Sequence, residues 1–286
     1  MRVLDLGRLD GPLLVFGGVY GNLQAFEALL AEARHRGFTA DRMIHTGDVV
    51  AYGADAARSA ELLRDTGCHA IKGNVEEQLG IGAGDCGCGF EEGSSCDQLS
   101  AAWYAYATRH VGAELRRWMA DMPDQIAFIL GGISFRVVHG TSGVVNEFVY
   151  GPEPAEKFRA ELDAAATDAV IAGHSGFPFA RAIGDRHWIN GGALGLPAND
   201  GTTRVWYAVL RGTADGAAVD FRSLHYDHRE AARRLLAAGL PRPYAEAIRG
   251  GRVPNHDTLP EPLKSMAGIP IAETTHAIPR RGSIAA

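Results

Sequence analysis

The chain has 286 residues, enough for one large domain or two small ones with a sizeable buried core. With 46% hydrophobic and 22% charged residues, it has the make-up of an ordinary globular protein. The formal net charge is −6 and Lys and Arg form no run, which argues against a nucleic-acid track. No stretch of about 18 apolar residues suggests a membrane span. The opening residues, MRVLDLGRLDG, hold no apolar signal core, so the expected address is the cytoplasm.

Leu13 to Phe16 reads as a short buried strand, ended by Gly17 and Gly18. A helix follows, with Leu23, Phe26, Leu29, Leu30 and Ala33 on one face. Asn22 is its expected N-cap and Gly37 its C-cap, and Arg34, His35 and Arg36 suit the dipole of the last turn. A strand over Met43–Thr46, a helix over Ala56–Arg64 and a strand over Cys68–Lys72 continue the β-α-β rhythm of an open sheet. Residues 81–96, IGAGDCGCGFEEGSSC, are a Gly/Cys-rich insert without a packing pattern. Helices are expected over Asp97–His110 and Ala113–Ala120. Strands over Gln125–Leu130 and Ser134–His139 then flank Gly131-Gly132 as in a hairpin.

A helix near Ala155–Ala165 leads to a buried strand, Ala169–Ala172. Phe177 to Leu224 reads mostly as strands, with turns at Gly184-Asp185, Asn199-Asp200-Gly201 and Asp215-Gly216. Helices over His228–Ala238 and Pro243–Arg249 close the pattern. From Pro254 to Ala286 the Pro, Thr and small residues show no periodicity, as expected of an extended or disordered tail. The organisation expected is one domain over residues 1–253 and a tail over 254–286. Periodicity alone supports no more than α/β with an open sheet.

Ligands of open α/β sheets gather in the loops after the carboxyl ends of strands. Here those loops are GGVYGN at 17–22, Gly47-Asp48, Gly73-Asn74-Val75-Glu76, His139-Gly140 and Gly173-His174-Ser175-Gly176. Asp48, Asn74, His139 and His174 would meet at one edge as two oxygen and two nitrogen donors. Such a set suits Mn²⁺, Fe²⁺ or Zn²⁺. His45 and His69 lie inside strand patterns and read as core residues.

In order and spacing, the same loops resemble the calcineurin-like metallophosphoesterases, particularly their small bacterial branch. That family's pattern runs D-x-H-G-N, G-D-x-x-x-Y-G, G-N-H-D/E, V-H-G, G-H-x-H and N-x-G-S-x-G. The matching stretches are GGVYGN, GDVVAYG, GNVEE, VVHGT, GHSG and NGGALG, spread over about residues 12–225. The resemblance implies a four-layer α-β-β-α sandwich of two mixed sheets. It also implies two metals about 3.5–4 Å apart that clamp a phosphate and activate the attacking water.

The departures are confined to one side. By the resemblance, the first metal would need residues 18, 20, 48 and 176, which are Gly18, Tyr20, Asp48 and Gly176. The second would use Asp48, Asn74, His139 and His174, all present, so one divalent metal is expected there. The histidine that protonates the leaving group is replaced by Val75, leaving Glu76, Glu77 or solvent for that task. Tyr20 is either a phenolate ligand or a ring covering the emptied site. Cover is the expectation, because a phenol with a pKa near 10 ionises only beside strong positive charge. Tyr52 is expected as a packing or substrate-wall residue, and Asn190 could simply make a turn with Gly191-Gly192.

Cys86, Cys88 and Cys96 do not have zinc-ribbon spacing. They could still reach the active edge and supply an additional metal or redox site, or remain free thiols. The expected function is metal-dependent hydrolysis of a phosphomonoester, phosphodiester or nucleotide polyphosphate, with Asp48, Asn74 and Glu76 in the catalytic set. The substrate would be a phosphorylated small molecule or nucleotide. The alternative is a catalytically weak or inactive relative that binds or regulates.

Overall fold

The structure, a computed structural model, describes residues 1–281. Its first strands are β1 (Val3–Leu9), β2 (Leu13–Phe16), β3 (Met43–His45), β4 (His69–Ala70), β5 (Gln125–Leu130) and β6 (Ile133–Val138). They are followed by β7 (Ala169–Ala172), β8 (Pro178–Ile183), β9 (Arg186–Gly191), β10 (Val205–Thr213), β11 (Gly216–Leu224) and β12 (Thr275–Pro279). The first helices are α1 (Leu23–His35), α2 (Ala56–Thr66), α3 (Asn74–Ile81), α4 (Ser95–His110) and α5 (Ala113–Ala120). The later ones are α6 (Ala155–Ala165), α7 (His228–Ala237), α8 (Arg242–Gly250) and the short α9 (Glu261–Ser265).

Two six-stranded mixed sheets form, ordered β1-β5-β6-β7-β9-β8 and β12-β11-β10-β2-β3-β4. The alternation of a strand sends successive side chains to opposite faces, and β2 shows what that builds. Leu13 and Val15 enter a core shared by both sheets, with Ile44, Phe128, Ile171, Trp206 and Phe221. Leu14 and Phe16 enter a second core under the helices, with Phe26 and Leu29 of α1, Leu63 of α2 and Leu235 of α7. On the far face of the other sheet, Phe158 and Leu162 of α6 pack on Val138, Val170 and Trp188. The result is an α-β-β-α sandwich, as the resemblance implies.

Local chemistry sets the element ends where the sequence signals are strong. The Asn22 side chain accepts the Ala25 N–H at 3.2 Å, and Gly37 follows α1 at φ +75°. Gly131 and Gly132, at φ +60° and +79°, make the tight connection between β5 and β6. Helix α4 begins at Ser95 rather than Asp97, because the Ser94 side chain caps it by accepting the Asp97 N–H. The strand expected over Cys68–Lys72 pairs only at His69–Ala70.

Two strands went unforeseen. Strand β1 is a largely exposed edge strand, so Asp5, Gly7 and Arg8 interrupt any apolar alternation. Residues 254–281, expected as an extended or disordered tail, instead carry α9 and β12, and β12 pairs antiparallel with β11. Only Ile278 of β12 is buried, at 1% exposure, and a single inward residue gives no periodicity to read. The final residues of that expected tail, 282–286, lie outside the described part. Among the described residues no helix is long and apolar enough to cross a membrane.

The pairing of β12 has a measurable consequence. Ile278 sits in the core between the sheets, so Ile278→Ala should cost about 2–5 kcal/mol and lower the urea midpoint accordingly. An unchanged midpoint would mean that the segment is not part of the folded sheet.

Candidate metal centre

The loops that follow β3, β6 and β7, with the start of α3, deliver Asp48, Asn74, His139 and His174 to one edge of the sandwich. His139 is the hub. Its Nδ1 lies 2.7 Å from the Thr46 carbonyl, which can only accept, so the ring proton sits on Nδ1. Nε2 therefore presents a lone pair when the ring is neutral. It faces Asp48 Oδ2 at 3.2 Å, Asn74 Oδ1 at 3.1 Å and His174 Nδ1 at 3.1 Å.

Asn74 is held in the orientation this requires. Its Nδ2 donates to the Cys86 carbonyl at 2.8 Å and to Cys88 Sγ at 3.3 Å, which turns Oδ1 inward. Burial, then the neighbouring His139, push the His174 imidazole down to about 3, so it is neutral near pH 7. A carboxylate oxygen, an amide oxygen and an imidazole nitrogen thus converge on His139 Nε2, a donor set that a cation would satisfy. Without a metal ion, a proton on His139 Nε2 or on His174 Nδ1 can bridge the pair. Burial opposes a charge on His139, but the Asp48 carboxylate outweighs it and raises the ring's pKa.

The spacing fits a metal as well. Bonds of about 2.0–2.2 Å give ligand-to-ligand edges of about 2.8–3.6 Å between octahedral and tetrahedral geometry, and the contacts around His139 Nε2 at 3.1–3.2 Å fall in that range. Asp48 and His174 also adopt φ of +62° and +35°, in the left-handed region that costs a non-glycine residue of order 1–3 kcal/mol. The fold tolerates strain at the two residues whose side chains must turn inward.

Glu76 lies under this cluster, wholly buried. Its Oε2 accepts the N–H groups of Asp48 and Gly73, both at 2.7 Å, and its Oε1 accepts that of Val49 at 2.9 Å. Burial and the Asp48 charge push its carboxyl up to about 7, against the pull of those amides. Gly73 permits the close approach, since a Cβ there would lie 2.2 Å from Asp48 Oδ1. On the other side, Asn190 does more than make a turn. Its Nδ2 donates to the Gly173 carbonyl and to Ser175 Oγ, and its Oδ1 accepts the Gly192 N–H, so it braces the His174 loop.

The model of the calcineurin-like phosphoesterase superfamily domain matches residues 13–214, more than half of the chain. The chain belongs to that superfamily. A curated relative is the uncharacterised protein MJ0912 of Methanocaldococcus jannaschii, 21% identical over 84% of this chain and 98% of its own length. The fold is similar to that of a metallophosphoesterase from Sphaerobacter thermophilus, with a TM-score of 0.67 and 22% identity. That alignment covers 85% of this chain and 100% of the other. It is similar also to protein PH1004 of Pyrococcus horikoshii, with a TM-score of 0.71 and 17% identity over 85% of this chain and 99% of that one.

Tyr20, at a position where the superfamily's pattern has a first-metal histidine, fills the space beside Gly18 and Gly195 with its ring. A Cβ on Gly18 would lie 2.1 Å from Tyr20 Cε1, and one on Gly195 would lie 2.3 Å from Tyr20 Cβ. The glycines therefore make room for the ring. Burial, then the Asp48 charge, push the Tyr20 phenol well up, which keeps it neutral and unsuited to ligation. Among the described residues, the one group of three His, Cys, Asp or Glu side chains able to share an ion is Asp48, His139 and His174. The expectation of a further metal site built from cysteines finds no support in this arrangement. Cys86 and Cys88 hold Asn74, while Cys96 Sγ donates to Asn255 Oδ1 at 2.9 Å. All three are free thiols.

Beside His174 opens a cavity of about 110 Å³. Tyr20 and Tyr52 line it as expected of wall residues, and Tyr52 stacks on Tyr244 with ring centroids 4.7 Å apart. Phe148 packs on the His174 ring at 4.2 Å and lies parallel to Tyr150. Phe148, Tyr150 and Tyr244 escaped the sequence analysis because they sit in loops and a distant helix. The serviceable signal was aromatic content alone.

Metal analysis checks this arrangement. Protein saturated with Mn²⁺ or Zn²⁺ and then desalted should retain about one ion per chain, and His139→Ala should retain none. The Cys86/Cys88/Cys96 triple serine variant should keep its ion, because a serine hydroxyl can still accept from Asn74. Loss of the ion in the triple variant would make the thiols ligands.

Proposed function

We propose that this chain hydrolyses a phosphoester with a single divalent cation held by Asp48, Asn74, His139 and His174. The observation that carries the reading is the convergence of Asp48 Oδ2, Asn74 Oδ1 and His174 Nδ1 on His139 Nε2, at 3.1–3.2 Å, in a buried pocket. Two imidazoles, a carboxylate and an amide oxygen suit Mn²⁺, Fe²⁺ or Zn²⁺. When bound, such an ion polarises a phosphoryl oxygen and lowers the pKa of a water molecule.

The chain's own residues set up the rest. Thr46 fixes the His139 tautomer, the Cys86–Cys88 loop fixes the Asn74 amide, and Asn190 braces the His174 loop. Both Glu76 oxygens are occupied by backbone amides, which argues for a positioning residue rather than a proton donor. Val75, buried at 1% exposure, supplies no proton at the position where the family has histidine. The substrate's leaving group must then depart without an acid from that position. Phosphorylated small molecules or nucleotides with good leaving groups fit this requirement.

Turnover should therefore be metal-dependent and fall steeply as leaving-group pKa rises, measured as kcat/KM across a series of aryl and alkyl phosphoesters. General acid catalysis is worth about 10²–10⁴-fold, so Val75→His should raise the alkyl esters by about 10²-fold while aryl esters change little. Thermal unfolding of the variant shows whether the buried imidazole is tolerated. Absence of any metal-dependent turnover across the series would instead favour a binding or regulatory relative.

A further inference from the structure

The cavity beside His174 is lined by nineteen residues, and none is Lys, Arg, Asp or Glu. Seven are aromatic: Tyr20, Tyr52, Phe90, Phe148, Tyr150, Phe177 and Tyr244. Burial raises the phenols of Tyr20, Tyr52, Tyr150 and Tyr244, so these walls stay uncharged at neutral pH. A second opening lies on the other side of His139 and contains Lys72, but its ammonium is bound to Asp124 at 3.0 Å. With no cation among the lining residues, the positive centre for a ligand in the aromatic cavity would be an ion held by the Asp48, Asn74, His139 and His174 cluster beside it, and Asp48 would offset part of that charge.

Charge complementarity then limits the ligand. A phosphodiester carries a single negative charge, which one partly neutralised dication can match. A phosphomonoester dianion or a polyphosphate chain would bring further charges against walls that hold no cation, and unpaired buried charge is costly. Stacked and edge-on aromatic side chains favour a flat ring beyond the area it buries.

We propose that the cavity takes a flat, uncharged aromatic ring carried on a monoanionic phosphodiester, with the phosphate directed to the cluster at His174. This names the substrate class of the proposed hydrolase and rests on that reading for its chemistry, though not for its binding. The cavity roof joins two remote segments, Phe90 and Cys96 of the insert and Val253 to Leu259 near the C-terminus. They are tied by Cys96 to Asn255 and by Ser95 Oγ to Asp257 at 2.6 Å. The ring is thus enclosed by the two parts of the chain that the general sequence pattern explains least.

Calorimetric titration of the Mn²⁺-loaded protein with diphenyl phosphate, diethyl phosphate, phenyl phosphate and tripolyphosphate tests the proposal without turnover. Diphenyl phosphate should bind at least about tenfold more tightly than each of the others. Phe177→Ala and Phe90→Ala, at half-buried walls away from the metal ligands, should each weaken diphenyl phosphate severalfold and leave diethyl phosphate unchanged. Equal or tighter binding of phenyl phosphate or tripolyphosphate overturns it, as does unchanged binding in both variants. Selective binding of diphenyl phosphate by protein that turns over no ester would remove the proposed hydrolysis and leave the ring site standing. Hydrolysis with no preference for the aryl diester would do the reverse.

Discussion

A single proton position governs the geometry of the centre. Because the Thr46 carbonyl takes the Nδ1 proton of His139, Nε2 turns a lone pair toward Asp48, Asn74 and His174. If the ring were reversed or in the other tautomer, the same four side chains would satisfy one another by ordinary hydrogen bonds. Instead the surrounding contacts point the Asp48 and Asn74 oxygens at that lone pair. Glu76 gathers the Asp48 and Gly73 amides from below, the Cys86 carbonyl and Cys88 sulfur hold the Asn74 amide from the side, and Asn190 braces the His174 loop. An arrangement that costs this much local organisation and two left-handed residues is what the proposed cation, shared by all four donors, would account for.

At the same edge of the sandwich, a ring stands at a position where the superfamily's pattern has a first-metal histidine. Tyr20 takes φ +53° and folds its ring into space left free by Gly18 and Gly195, where side chains would collide with it. Its phenol stays neutral because burial and Asp48 both disfavour the charged form. The ring also becomes a wall of the aromatic cavity, where it lies edge-on to Tyr52 with centroids 4.9 Å apart. A neutral ring at this position adds apolar surface and no charge, which suits the aromatic ligand proposed above.

The sandwich was legible where one residue type does one job. Buried strands such as β2 and β7 are continuous apolar runs, and Asn22 and Gly37 bound α1 as their side-chain chemistry dictates. The convergence of Asp48, Asn74, His139 and His174 was legible for a similar reason, since Asp, Asn and His beside glycines at strand ends are a local pattern. What escaped were contacts between distant segments. Nothing near Glu76 in sequence shows that it will accept three backbone amides, and its charge made it look like an acid catalyst. Nothing near Cys88 shows that its sulfur will accept from the Asn74 amide. Edge strands β1 and β12 escaped because both of their faces are largely exposed, which leaves no alternation to detect.

X-ray absorption at the metal edge tests the central claim most directly, because it reads the ligands and any neighbouring ion together. The account predicts a shell of nitrogen and oxygen atoms at about 2.0–2.2 Å, outer-shell scattering from two imidazoles, and neither sulfur nor a second metal. A sulfur scatterer at about 2.3 Å, or a metal–metal vector at about 3.5–4 Å, would contradict it.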